Sequence, residues 1–251
     1  MPDICTQGNV DDSHRRQLLT DGKLPSLDHP QVTNHIGVSA ILITQDNYIV
    51  IQPRESEDLH SNVNSLSASV SGAVDWDDYA DSQSDLVLKD LDGKKCLYSN
   101  EFLKSKTKRE FIAPDRAIIR ECNEEIAFLP EDLRSVHLLG IAREFRRLGK
   151  PEFFYLIDSR RKIGYVEEAS AEANYRWEYG GKSLIVTPIP TEPTKRAFFL
   201  ANRMSDPLYN EITQAAFYFM LRDLVRKNPA LNERWGKNFQ LSVLESFGIK
   251  P

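Results

Sequence analysis

The chain has 251 residues, 41% of them hydrophobic, and a formal net charge of −5 with a pI near 5.6. This length fits one large domain or one core domain with appendages, and the acidic balance argues against broad binding to a nucleic-acid backbone. No apolar run approaches the roughly 18 residues of a membrane span, and the N-terminus lacks the apolar segment of a secretory signal. We therefore expect a cytoplasmic protein that does not associate with membranes.

The N-terminal part of the chain is polar and lacks hydrophobic periodicity. Residues 1–30 are therefore expected to form a flexible leader, and residues 31–251 a single domain. The first strong pattern is a strand at 37–44, followed by turn residues at 45–47 and a second strand at 48–52, which together predict a hairpin. A basic residue, Arg54, follows the second strand.

A second apolar segment leads into a polar stretch. Residues 66–72 alternate small and apolar side chains, which predicts a strand that leads into a loop. Gly72 lacks a side chain, so its backbone can closely approach a metal ion or a phosphate. Residues 79–112 are rich in Asp, Ser and Lys and contain the turn pair Asp92-Gly93, so a long loop is expected there.

The next segment predicts a helix with an acidic face. It starts at Ala113-Pro114-Asp115, and three of its carboxylates share one side because they stand at i, i+3 and i+4: Glu121, Glu124 and Glu125. Like charges at this spacing cost a helix on the order of 0.2–0.5 kcal/mol, so a cation such as Mg²⁺ or Mn²⁺ would favour the arrangement. The alternative is an ordinary solvated helix face. Cys122 lies on the neighbouring apolar stripe and is expected to be a core residue.

The remaining pattern predicts further strands and C-terminal helices. Strands are expected at 136–142, 152–158 and 182–188, a helix at 209–227 and a shorter one at 238–247, within a helical extension from about 205 to 251. Residues 159–181 read as a charged connection. The order of elements indicates an α+β domain with a mixed sheet and helices packed on it.

Gly72 and the run Arg120-Glu121-Cys122-Asn123-Glu124-Glu125 together resemble the Nudix box. That signature reads glycine, five residues, glutamate, seven residues, Arg-Glu-aliphatic-any-Glu-Glu-any-Gly-aliphatic. Its second half is nearly intact in this chain, whereas its first half is stretched. Asp78 stands where the family has glutamate, 41 residues rather than seven separate Asp78 from Arg120, and Ala127 replaces the glycine.

The resemblance implies a Nudix-like α/β/α sandwich over about 35–190, with an insertion at about 79–112 that could form a lid or bind a partner. It implies a Mg²⁺- or Mn²⁺-dependent hydrolase that cleaves a diphosphate linkage in a nucleoside-diphosphate-type or related small molecule. By this resemblance the metal ligands would be three glutamates and one backbone carbonyl, namely Glu121, Glu124, Glu125 and Gly72. Arg120 would orient Glu121, Glu124 and Glu125 would take part in catalysis, and Arg54 would reach the substrate.

Other readings of the same residues stay open. A catalytically degenerate module that binds a nucleotide-like ligand or a protein partner is favoured by Ala127 and by the stretched box. An isomerase acting on an allylic diphosphate would usually need a cysteine facing its substrate. The general base is either a box glutamate or an acid of the 159–181 connection, such as Glu167 or Glu168. The sequence identifies neither the group attached to the diphosphate nor the oligomeric state.

Overall fold

The computed structural model of the protein describes residues 35–54, 65–80, 84–144, 149–172 and 184–235, without the side chains of Arg54, Ala80 and Glu172. The predicted leader at 1–30 and the predicted helix at 238–247 lie outside these ranges.

Seven of the described strands form one mixed sheet. They are β1 (Gly37–Ile43), β2 (Tyr48–Arg54), β3 (Ser65–Ser67), β4 (Val70–Ala73), β7 (Leu133–Glu144), β8 (Lys150–Ser159) and β9 (Ile185–Pro188). The order is β3-β2-β1-β8-β7, with β4 also paired to β1 and β9 to β2. Only β1 and β8 pair in parallel; the other pairs of this sheet are antiparallel. Two further strands, β5 (Leu86–Lys89) and β6 (Lys95–Tyr98), form a separate hairpin.

Helices cover both faces of the sheet. Those of the described ranges are α1 (Trp76–Ala80), α2 (Asn100–Thr107), α3 (Ala113–Ile126), α4 (Ile163–Glu172), α5 (Pro193–Met204), α6 (Glu211–Lys227) and α7 (Pro229–Trp235). One core cluster contains buried residues of α2, α3 and α4, and a second contains those of α5, α6 and α7. The predicted α+β class with a mixed sheet is confirmed.

Strand β1 shows why the sheet is central. All seven of its residues are buried. Val38 and Leu42 belong to the core cluster on the α3 side, whereas Ile41 belongs to the cluster on the α6 side. A strand covered on both faces has a nearly continuous apolar sequence, as residues 37–43 do. The predicted hairpin is also confirmed, with Leu42 opposite Val50.

The segment predicted as one strand at 66–72 is divided into β3 and β4. The break lies at Ser69, whose side chain enters the sheet where β1 and β2 separate. Its hydroxyl accepts a hydrogen bond from the Leu42 amide at 2.7 Å and donates one to the Val50 carbonyl at 2.5 Å. The segment thereby changes partner from β2 to β1, which a single-strand prediction misses.

The stretch at 79–112 is not the simple inserted loop that its polar composition predicts. It contains the hairpin β5–β6 and the helix α2. Three leucines account for this order, because Leu86, Leu88 and Leu103 are at most 4% exposed and belong to the core cluster of α3. Three buried leucines therefore anchor the described part of this stretch, residues 84–112, in the core, although its average composition is polar.

Two helices also differ from the predicted connections. Helix α4 lies within the segment expected to be a charged connection, with Val166 and Ala169 buried on one side. Helix α5 was not predicted; it follows Glu192, whose carboxylate accepts hydrogen bonds from the amides of Thr194 and Lys195. This is an N-cap interaction. No helix of the described residues is long and apolar enough to cross a membrane.

Candidate functional site

The start of α3 is fixed by a buried carboxylate. Asp115 is 0% exposed and accepts hydrogen bonds from the Ile112 amide and the Tyr155 hydroxyl, both at 2.9 Å. The guanidinium of Arg109 binds the same carboxylate with both terminal nitrogens. Burial, together with this carboxylate, raises the pKa of the Tyr155 hydroxyl, so the phenol remains a donor. The predicted start signal is confirmed, and its aspartate is a structural residue.

The apolar stripe of α3 sets the direction of its acidic face. Ile118, Ile119, Cys122 and Ile126 are each 0% exposed in the core beneath the helix. Burial raises the pKa of the Cys122 thiol well above its ordinary value, so the predicted core role of this cysteine is confirmed. With this stripe buried, the neighbouring acidic side of α3 lies against β4.

Three consecutive residues of β4 each contact one residue of this acidic side: Ser71, Gly72 and Ala73. The Ser71 amide donates to Glu125 Oε2 at 3.0 Å. Arg120 Nη2 donates to the Ala73 carbonyl at 2.9 Å. A Cβ atom on Gly72 would overlap the carboxylate of Glu121. Gly72 therefore lies beside the glutamates, and its missing side chain leaves the space that Glu121 occupies.

Arg120 is the centre of an ion-pair network. Its terminal nitrogens lie 2.9–3.2 Å from carboxylate oxygens of Glu121, Glu124, Asp75 and Asp78. Burial alone would lower the pKa of Arg120, but the negative charge of Glu121 and the hydrogen bond to Asp78 outweigh it and raise the pKa. The guanidinium is thus permanently charged, and with all four partners ionised the cluster carries three excess negative charges.

Asp78, whose role the sequence did not assign, forms an ion pair with Arg120. Although 41 residues separate it from Arg120 in the chain, helix α1 packs on α3 and brings the two side chains together. Asp78 is 2% exposed and also accepts a hydrogen bond from the Asp75 amide at 2.9 Å. The first two residues of the predicted insertion at 79–112 belong to α1, and Asp78, which precedes them, contacts Arg120 of α3.

Gln52 is a site residue that sequence reasoning missed. It is 0% exposed, and its Nε2 lies 3.5 Å from Glu125 Oε2. Glu125 itself is 4% exposed. The alternation of β2 could have indicated Gln52, since Val50 and Gln52 share one face of the strand. A polar side chain that continues an apolar face needs a buried partner.

The carboxylates of α3 are held by protein donors in this structure. Within the described ranges, no three His, Cys, Asp or Glu side chains are arranged to hold a metal ion. Glu121 and Glu124 both accept hydrogen bonds from Arg120 Nη1, at 2.9 and 3.0 Å. The side chain of Glu124 is 55% exposed and is the outermost of the three. Each of these hydrogen bonds engages one oxygen of a carboxylate that has two.

The hairpin β5–β6 forms a wall beside this network. The Asn123 side chain accepts a hydrogen bond from the Lys89 amide at 3.2 Å and donates one to the Lys89 carbonyl at 2.8 Å. Between the hairpin and α3 lies a groove of about 560 Å³, whose polar lining includes Lys89, Asp90, Arg120 and Glu124. The hairpin therefore places Lys89 in the lining of the same groove as Glu124.

Ala127 ends α3 in a left-handed conformation, with φ 53° and ψ 26°. Its amide donates to the Asn123 carbonyl at 3.0 Å, and the Phe128 amide donates to the Cys122 carbonyl at 3.1 Å. A helix ended in this way favours glycine, and a residue with a Cβ atom costs roughly 1–2 kcal/mol in this conformation. The strain expected for a left-handed helix end is present at Ala127.

The other residues proposed from sequence lie away from this cluster or outside the described side chains. Arg54 ends β2, but its side chain is outside the described part of the protein. Glu167 and Glu168 are both exposed on α4. Neither glutamate contacts the Arg120 network among the hydrogen bonds and ion pairs seen in the described residues, so the general base stays unassigned.

Comparisons with known proteins add little to this description. No protein-family model matches the chain, and no curated protein sequence matches it. Among solved structures, the crystal structure of DR0079 from Deinococcus radiodurans is similar at 16% sequence identity with a TM-score of 0.40. That match covers 77% of this chain and 88% of the other. At this level it carries no argument about family or activity.

Proposed function

We propose that this protein is a Nudix-type hydrolase, with a Nudix-like α/β/α sandwich, that cleaves a diphosphate linkage of a small molecule with the help of Mg²⁺ or Mn²⁺. The observation that carries the proposal is the contact of Arg120, Glu121 and Glu125 with three consecutive residues of β4. An ordinary solvated helix face would not be expected to pack against a strand in this way. Here Gly72 of β4 leaves the space that the Glu121 carboxylate occupies.

The charge balance of the cluster supports a cation site. Among the ion pairs of the described residues, one guanidinium contacts four carboxylates, so these five groups together carry a net negative charge when ionised. Hard divalent cations prefer carboxylate and carbonyl oxygens. Glu121, Glu124 and Glu125 would hold the ion together with the carbonyl of Gly72. When bound, the ion would neutralise diphosphate charge and activate a water molecule for attack at phosphorus.

The residues of the chain have separate tasks in this proposal. Arg120 holds Glu121 through a charge-assisted hydrogen bond, and the Ser71 amide holds Glu125. The core beneath Cys122 keeps α3 against the sheet, so both carboxylates have a fixed support. Lys89 lines the groove beside the hairpin, and its positive charge would attract the anionic substrate.

The test is hydrolysis of a panel of diphosphate compounds with Mg²⁺ or Mn²⁺, comparing wild type with Glu125→Gln. We expect the substitution to reduce turnover by at least about 100-fold, because the neutral amide lacks the negative charge with which Glu125 would hold the cation. Glu233→Gln is the matched control, since Glu233 is exposed on α7 and loses the same charge. Equal turnover by Glu125→Gln and wild type would contradict the assigned role.

A second test uses the space at Gly72. In Gly72→Ala the new Cβ atom would displace the Glu121 carboxylate while removing no charge. Because the displaced group is the end of a flexible side chain, we expect a small change in the urea midpoint and a clear loss of Mn²⁺ affinity. Unchanged Mn²⁺ affinity would argue that Glu121 is not a ligand.

A second candidate function is a binding module without catalysis. The observation that favours it is Arg120 itself, which already supplies a cation among the carboxylates, together with the strained helix end at Ala127. Such a module would bind nucleoside diphosphates, and its Mg²⁺-dependent cleavage would not exceed that of Glu125→Gln. The same panel therefore separates the two functions.

A further inference from the structure

The side-chain amide of Gln52 is buried next to Glu125 on the acidic face of α3. The residue is 0% exposed and stands near the end of β2, opposite Ser67 of β3. Buried side-chain amides normally satisfy both their nitrogen and their oxygen. The partners of these two atoms therefore indicate what the residue does.

The orientation of this amide is determined by its neighbours. Nε2 donates a hydrogen bond to the Ser69 carbonyl at 2.7 Å and lies 3.5 Å from Glu125 Oε2. Both neighbours are acceptors, so the opposite orientation would place the amide oxygen against two other oxygens. The nitrogen is thus assigned by chemistry, and the position of the oxygen follows from it.

The oxygen of the same amide lacks a donor. Among the described residues, none donates a hydrogen bond to Gln52 Oε1, and the atom is inaccessible to solvent. An unsatisfied buried acceptor costs about 1–3 kcal/mol. Oε1 is bonded to the same carbon as Nε2, so it is two bonds away from the atom that lies 3.5 Å from Glu125 Oε2. Ser71 and Gly72, which adjoin that carboxylate, are only half-buried, so the neighbourhood reaches the surface at β4.

We propose that the side-chain oxygen of Gln52 is part of the divalent-cation site, facing the same ion as Glu125, either directly or through one water molecule. The inference rests on the proposed function and deepens it, because the Nudix box itself contains no residue of β2. Amide and carboxylate oxygens are both ligands of hard cations. A cation beside Glu125 would give the buried oxygen the partner that the described protein groups do not provide.

The experiment is a titration of the full chain with Mn²⁺, followed by the paramagnetic resonance signal of free Mn²⁺. Gln52→Met removes the oxygen while retaining the length of the side chain. Gln52→Glu retains an oxygen at the same place. We expect Gln52→Met to weaken the Mn²⁺ Kd about 10–100-fold, whereas Gln52→Glu should bind Mn²⁺ at least as tightly as wild type.

A purely structural role predicts a different order. Glutamate cannot donate to the Ser69 carbonyl when ionised, and it would set a second negative charge beside Glu125. Gln52→Glu would then lower the urea midpoint and the Mn²⁺ affinity at least as much as Gln52→Met. Gln214→Met on α6 is the matched control, because Gln214 is half-buried and, like Gln52, donates to a backbone carbonyl, that of Asp206. Circular dichroism and urea midpoints, recorded for every variant, report folding separately from Mn²⁺ affinity.

The outcomes separate this inference from the proposed function. Weaker binding by both Gln52 variants, or unchanged binding by Gln52→Met, overturns the role of Gln52 while leaving hydrolysis by the wild type intact. Wild-type protein that binds Mn²⁺ with the expected order of variants but cleaves no diphosphate overturns only the hydrolase. Wild-type protein that binds no Mn²⁺ overturns both.

Discussion

The two ends of α3 hold their carboxylates in contrasting ways. At its start, the single carboxylate of Asp115 is fully buried and receives donors from Arg109, Ile112 and Tyr155. Further along, one guanidinium, that of Arg120, serves four carboxylates. Among the contacts of the described residues, one carboxylate has three donor groups in the first cluster, and four carboxylates share one guanidinium in the second.

This contrast separates a structural network from a candidate site. Burying a carboxylate costs several kcal/mol unless it is paired and hydrogen-bonded, and Asp115 meets that condition. In the Arg120 cluster, Glu124 is largely exposed, and beside Glu125 the oxygen Gln52 Oε1 lacks a donor among the described residues. These features are not expected to stabilise the fold by themselves, and they motivate the cation site that we propose.

The largest expected effect is at the start of α3. Asp115→Ala leaves Arg109 without its carboxylate and Tyr155 without its acceptor, so we expect a loss of about 3–5 kcal/mol in unfolding free energy. Urea denaturation measures it. Asp92→Ala, at an exposed turn, should change stability by less than about 0.5 kcal/mol. Comparable values for the two variants would remove the structural role of Asp115.

Removing the central cation tests the other cluster. Arg120→Gln leaves the buried Asp78 without its counter-charge, and we expect a loss of about 1–3 kcal/mol without metal. Added Mn²⁺ should recover more stability in Arg120→Gln than in wild type, because the ion can then replace the missing charge. The measurement is Tm with and without Mn²⁺. If Mn²⁺ raises Tm in neither protein, the cluster is an ordinary ion-pair network.

The contact between the hairpin and α3 should have a smaller effect. Asn123→Ala removes two hydrogen bonds to Lys89, worth about 1 kcal/mol together because both are exposed to solvent. Hydrogen exchange should increase at the amides of β5 and β6, with the strands of the large sheet unchanged. Asn202→Ala, an exposed helix position on α5, controls for helix propensity. Uniform exchange changes would contradict a local role.

The smallest expected effect is a gain. Ala127→Gly relieves the left-handed conformation at the end of α3, and we expect a stabilisation of about 0.5–1 kcal/mol. Ala215→Gly, inside α6, should instead destabilise by about 1 kcal/mol. Opposite signs in urea denaturation are the expected result. A loss in both variants would mean that Ala127 makes packing contacts worth more than the strain.

Much of the fold follows from local patterns. The largely apolar runs at 37–43 and 48–52, separated by turn residues, predict the central hairpin, and such runs are typical of strands whose side chains pack on both faces of a sheet. The insertion shows the limit of that reasoning. Its Asp, Ser and Lys content predicts a loop, whereas Leu86, Leu88 and Leu103 anchor it in the core. Average polarity does not reveal where a few apolar residues meet the core.

The candidate site, too, is predictable from the sequence in part only. The spacing of Glu121, Glu124 and Glu125 determined that these carboxylates lie on one side of α3, since helical geometry depends only on local sequence. Tertiary structure decided that Gly72 faces Glu121, that Asp78 reaches Arg120 across 41 intervening residues, and that Gln52 lies beside Glu125. These contacts join separate segments of the chain through a shared core. Helical and strand periodicity describe neighbours along one element, and they do not specify which elements pack together.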